Sequence, residues 1–145
     1  MDKIQSLKRT ISEMKNRRKA STKQIFKFEP FSKKQKQVLT WWISTSPVCE
    51  WDGIIADGAI RSGKTVSMSL SYVMWAMATF SGQNFGMCGK TIGSFRRNVL
   101  FWLKLMLKSR GYAVTDHRSD NLIVVSRNGI ENYFYIFGGK DERSQ

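Results

Sequence analysis

Eight consecutive residues, Gly58-Ala59-Ile60-Arg61-Ser62-Gly63-Lys64-Thr65, have the types and spacing to hold a phosphate chain. They match G-x-x-x-x-G-K-[ST], in which the glycines let backbone N–H groups turn inward onto phosphate oxygens. Lys64 supplies a point charge for β and γ phosphates, and Thr65 offers a hydroxyl to Mg²⁺. A helix beginning at the same place adds the positive end of its dipole. The run from Gly58 to Thr65 is therefore a candidate nucleotide-binding loop, with Lys64 as its central cation and Thr65 as its metal ligand. The plain alternative is a glycine-rich turn that binds nothing.

Such a loop works between a strand and a helix, and the flanks predict both. Residues 52 to 57 read as a short strand, and residues 64 to 80 as a helix apolar nearly all round, which implies shelter on more than one side. Upstream, Ser32 has the character of an N-cap for a helix through Gln35, Val38, Leu39, Trp42 and Ile43, ending before Pro47. Downstream, residues 84 to 89 are a second strand weakened by glycines, and residues 91 to 110 an amphipathic helix with Phe95, Val99, Trp102, Leu103 and Met106 on one face. Gly111 suits the position just past its end. From Tyr112 the period changes to that of strands, over 112–116, 122–126 and 130–137, and Asn128-Gly129 is a two-residue hairpin signal. The tryptophans at 41, 42, 51, 75 and 102 are expected as core and interface anchors. The alternation predicts an α/β fold, a parallel sheet flanked by helices, followed by a C-terminal cluster of β-hairpins.

At 145 residues there is room for one domain, and 41% hydrophobic residues exclude a disordered chain. A net charge of +13 makes a polyanion, nucleic acid or nucleotide, the default partner. Half of the 24 Lys and Arg residues lie before position 41, so residues 1 to 30 are read as a basic arm, helical over 1 to 24 or else a solvated, frayed segment. Cys49 and Cys88 have no metal-ligand spacing, and the single His117 completes no site with them; free thiols in a reducing cytosol are expected. Ile4, Leu7, Ile11 and Met14 alternate with charges rather than forming a signal-peptide core. The longest apolar run, 66–80, is interrupted by serines and too short to span a bilayer. No membrane role is expected.

The basic arm, the Phe31-Ser32-Lys33-Lys34-Gln35 helix start, the loop with its Arg61, and the ending Tyr135-Ile136-Phe137-Gly138-Gly139-Lys140-Asp141-Glu142 together resemble the N-terminal ATPase region of tailed-phage terminase large subunits, in particular the PBSX-type group. The resemblance covers Phe31 to the last residue. It implies a P-loop NTPase fold of the RecA-like, additional-strand type, ATP and Mg²⁺ as cofactors, and a part in the motor that drives double-stranded DNA into a procapsid in the host cytoplasm. It implies double-stranded DNA, a portal protein, a small terminase subunit and further copies of the chain as partners. By the same resemblance Lys64 and Arg61 are catalytic, Arg61 as a sensor of the γ-phosphate, in cis or in trans, or else merely paired with a surface carboxylate. Gln35 reads the adenine edge, with Phe28 or Phe31 stacking on the ring, or is an ordinary exposed helix residue.

One part of that pattern is missing. Hydrolysis in such ATPases needs an apolar strand ending in Asp followed by Glu, and no segment here has that form. The nearest pair, Asp141-Glu142, is separated from its strand by Gly138-Gly139-Lys140. The nuclease region with its acidic metal cluster is absent too. Residues 31 to 145 are thus expected to be the first part of a P-loop ATPase domain from a truncated or split reading frame, its Ile54-Ile55 strand left without neighbours. Another P-loop ATPase, a helicase or loader, and a non-hydrolysing basic module for nucleotide or nucleic acid remain the alternatives.

Overall fold

The computed structural model describes Gln5, residues 28–59 and residues 62–139. The chain divides into two compact units, Met1–Pro30 and Phe31–Gln145. The helix expected over residues 1 to 24 lies outside the described residues, Gln5 apart.

The second unit begins with α1 (Lys33–Leu39). Ser32 caps it with a reciprocal pair of bonds: Gln35 N–H donates to Ser32 Oγ (3.3 Å) and Ser32 N–H donates to Gln35 Oε1 (2.9 Å). The helix gives way at Thr40, short of the Ile43 that the sequence pattern predicts. Thr40 turns its hydroxyl onto the Lys36 carbonyl (2.9 Å), and the aromatic and β-branched residues that follow are poor helix formers. The chain runs on to Trp51 through successive three-residue turns, with N–H donors of Ile43, Ser46, Cys49 and Trp51 bonded to the carbonyls of Thr40, Ile43, Ser46 and Val48.

Residues 53–57 do not form the expected strand. They form no ladder to any described strand, and Ile55 is 96% exposed. A strand exists only through a neighbour's N–H and C=O groups, and the adjoining described chain offers none.

The helix after the loop, α2 (Lys64–Thr79), agrees with expectation to within a residue and buries Ser67, Leu70, Ser71, Val73, Ala76 and Met77. β1 (Asn84–Gly89) follows. Next come α3 (Ile92–Phe95), a π-helical turn (Arg96–Leu100) and α4 (Phe101–Ser109) in unbroken succession. Leu103 and Met106 are buried as expected, but the π-turn inserts extra backbone, and Leu100 and Leu107 join them in place of Phe95, Val99 and Trp102. Gly111 N–H to Lys108 O (3.1 Å) and Tyr112 N–H to Leu107 O (3.1 Å) close α4 in a Schellman pattern.

β2 (Ala113–His117), β3 (Leu122–Arg127) and β4 (Ile130–Gly138) complete a single sheet in the order β1-β4-β3-β2. Only β1 and β4 are parallel; β2, β3 and β4 form an antiparallel meander. The separate parallel sheet and hairpin cluster expected from sequence are thus one mixed sheet among the described residues. Short turns force antiparallel pairing, whereas the long helical crossover from β1 permits a parallel return. At the β3–β4 turn Asn128 and Gly129 have φ of 53° and 79°, the left-handed pair a two-residue hairpin requires.

Phe134, Ile136, Ile123 and Val125 are buried, on the side of the sheet against which α2 packs. Asn132, fully buried, accepts from Gln83 N–H (2.9 Å) and donates to Phe80 O (2.9 Å), tying the end of α2 to the start of β1. Across the π-turn, α4 and β2, Asp116 accepts from Arg96 Nη1 (2.8 Å) and Lys104 Nζ (2.7 Å). The tryptophans are not core residues: Trp41 and Trp75 join a cluster at the edge of the core with Tyr72, Phe80 and Phe85, while Trp51 is 66% exposed. No described helix is long and apolar enough to cross a membrane.

Candidate phosphate-binding site

α1 and the start of α2 hold the loop from opposite sides. Gly63 is the N-cap of α2 at φ 75°, and a Cβ there would collide with Gln35 Nε2, so both backbone and space demand glycine. Gln35 Nε2 donates to Ser62 O (3.1 Å) while its Oε1 accepts from Ser32 N–H, so the capping glutamine of α1 also braces the loop. Ser67 Oγ lies within hydrogen-bond range of the Gly63 (3.0 Å) and Lys64 (3.1 Å) carbonyls one turn into α2.

Lys64 folds back over the loop. Its Nζ donates to the carbonyls of Gly58 and Ala59, both at 2.6 Å, and to Ser62 Oγ at 3.3 Å. Those three contacts use all the protons an ammonium carries. Gly58 N–H donates to Asp57 Oδ1 (2.7 Å), which sets a carboxylate at the entry to the loop. Thr65 is exposed in the first turn of α2, where its hydroxyl is a hard oxygen donor of the kind Mg²⁺ accepts alongside water and phosphate.

A cleft of about 680 Å³ opens beside the loop. Val38, Trp41 and Ile54 form an apolar wall, while Gly58, Ser62 and Lys64 form a polar end. That volume and that division suit a small ligand with a flat apolar part and an anionic tail. Gln35 also lines the cleft.

Ile60, Arg61, Asp141 and Glu142 are outside the described residues. Phe31 is not part of the cleft wall; the Arg110 guanidinium stands 5.7 Å over its ring. Phe28 belongs to the first unit.

Among solved structures, the chain is similar to the large terminase of a thermophilic bacteriophage, with 67% identity and a TM-score of 0.77 over 79% of this chain and 28% of that one. This chain belongs to the phage large-terminase family. The same phage's large terminase in complex with ADP matches at 67% identity and TM-score 0.75, over 77% and 28% of the two chains. Its complex with ATP-gamma-S matches at 66% and 0.74, over 76% and 28%. This terminase chain thus spans a little over a quarter of the length of the large terminases it matches. No protein-family model and no curated protein matches it.

In this terminase chain the sequence motif located the loop but not its supports. Asp57, Ser67 and the wall residues Val38, Trp41 and Ile54 carry no motif of their own. Serine in the first turn of a helix is a weak signal for a bond back to the capping carbonyls, the one hint that pointed to Ser67.

Proposed function

We propose that this chain is the ATP-binding portion of a large terminase, part of the ATP-hydrolysing motor that packages double-stranded DNA into a procapsid. The observation that carries the reading is Lys64, folded into a glycine loop at the N-terminus of α2 in a chain 67% identical to a terminase solved with ADP. A P-loop NTPase assignment follows from the same loop.

On this reading the triphosphate replaces the Gly58 and Ala59 carbonyls as the partner of Lys64 Nζ, exchanging neutral acceptors for charged ones. The N-terminal amides of α2 take the remaining phosphate oxygens. Thr65 would hold Mg²⁺ by its hydroxyl, and the ion would supply charge neutralisation for the phosphates. The base lies against Trp41 and Val38. Gln35 meets the adenine edge: with one lone pair given to Ser32 and one proton to Ser62, its amide retains one acceptor and one donor, the pair that edge requires. Arg61 acts from the loop on the γ-phosphate as the charge that stabilises transfer, and Lys64 shares that role. Residues 1–30 are a basic arm preceding the ATPase portion. Double-stranded DNA, a portal protein, a small terminase subunit and further copies of the chain are its partners, in the host cytoplasm.

Calorimetric titration with ATP-gamma-S and Mg²⁺ tests the core of the proposal. Saturable binding is expected in the wild type, weakened about 100-fold or more by Lys64→Ala, since a charge-assisted contact to phosphate is lost along with its neutralisation. Absence of binding in the folded wild-type chain would refute it.

A further inference from the structure

The helical stretch from Ile92 to Ser109 and its cap Arg110 contain five cations and no carboxylate. Three of the five are engaged within the fold. Arg96 and Lys104 share Asp116, and Arg110 donates to the Met106 carbonyl (3.0 Å) beside the Phe31 ring. Arg97 and Lys108 are exposed, and neither side chain has an ion pair or hydrogen bond among the described residues.

Their placement is not scattered. Arg97, Phe101, Lys104 and Lys108 recur at spacings of four, three and four residues, which puts them on one side of the helix. Leu100, Leu103 and Leu107 are buried, and α4 packs on α2 and β2, so Arg97, Phe101 and Lys108 face outward while Lys104 lies at the margin, held to Asp116 of β2. At 1.5 Å per residue the stripe from Arg97 to Lys108 is about 16 Å long. Asp116 neutralises only one of the two cations it touches, so the face keeps a net positive charge.

We propose that this outward face of the π-turn and α4 is a docking surface for the phosphate backbone of double-stranded DNA. The inference rests on the reading of the chain as part of a DNA-packaging motor and names the surface by which that motor portion meets its cargo. Charge decides the class of partner. A chain of net charge +13 repels a second copy of the same face, whereas duplex DNA presents one negative charge per about 1.7 Å of axis to a stripe of this length. The aromatic content decides duplex over single strand. Phe101 stands edge-to-face on Trp102, with ring centroids 5.1 Å apart and planes at 82°, which is not the succession of open ring faces on which unpaired bases stack. Arginine and lysine reaching to backbone phosphates carry no base preference, as a sequence-blind translocating surface requires.

The test is fluorescence anisotropy of a labelled duplex of about 30 base pairs with the full chain across a potassium chloride series. For Arg97→Gln/Lys108→Gln, loss of two phosphate contacts lowers the slope of log K against log salt by about 2, and affinity at low salt falls about tenfold or more. The charge-conserving pair Arg97→Lys/Lys108→Arg restores the wild-type slope. An unchanged slope in the glutamine variant overturns the inference. So does a loss confined to a parallel titration with polyglutamate, which would make the face a receptor for acidic protein. Titrating the same samples with ATP-gamma-S separates the two proposals. Nucleotide binding with an unaltered DNA slope removes only the docking surface, and a reduced slope without nucleotide binding removes only the ATP site.

Discussion

Gln35 has three tasks in one side chain: it completes the cap of α1, braces Ser62, and keeps one donor and one acceptor without a partner among the described residues at the cleft. The resemblance singled Gln35 out only for the adenine edge, and neither its part in the cap nor the brace was read from the sequence. The bracing depends on residue 35 and residue 62 meeting across 27 positions of chain, and the tight approach at Gly63 shows how close α1 and the loop come. If the free donor and acceptor read adenine, Gln35→Ala narrows the preference for ATP over GTP by about 5- to 10-fold, the worth of one or two hydrogen bonds. Competition titrations of the two nucleotides against a fluorescent ADP analogue measure this. An unchanged preference would leave Gln35 as a cap and brace alone. Lys64 differs in legibility: the motif singled it out, but its present partners, two carbonyls and a hydroxyl of its own loop, were not readable.

Between elements, Asp116 joins the π-turn and α4 to β2. Burial on its own would raise the Asp116 pKa; the hydrogen bonds and charges of Arg96 and Lys104 outweigh it and hold the carboxyl below its ordinary value. A depressed carboxylate contributes stability that is fully present above its unfolded-state pKa, about 4, and is lost as pH falls through the lower folded value. Asp116→Asn is therefore expected to lower stability at pH 7 by about 1–3 kcal/mol, and the gap to wild type to shrink as the pH falls below about 4. Urea unfolding followed by circular dichroism at a series of pH values gives both quantities; a gap independent of pH would contradict the assigned pairing. Helices and hairpin were the legible elements, because Gly111, Asn128 and Gly129 act through local backbone geometry. The π-turn was not legible. An apolar period assumes about 3.6 residues per turn, and one wider turn moves burial from Val99 to Leu100.

At the scale of the molecule, the described helices cover one face of the sheet. Tyr135 and Phe137 stand on the other at 37% and 54% exposure, with Leu122 beside Tyr135 in register. A contiguous apolar patch of this kind binds hydrophobic dyes, so the native chain is expected to enhance anilinonaphthalene sulfonate emission, and Tyr135→Lys/Phe137→Lys to reduce it by about half. Equal emission from both proteins would place the dye elsewhere. The sequence by itself determined the glycine-lysine loop motif, the helix that leaves it, the hairpin and the cationic surplus, since each depends on neighbours within a few residues or on composition alone. Only the tertiary structure decided that β1 returns beside β4 in a mixed sheet and that Gln35 of α1 reaches Ser62 in the loop. Strand pairing and side-chain bracing are contacts between distant parts of the chain, and no local pattern encodes which distant partner wins.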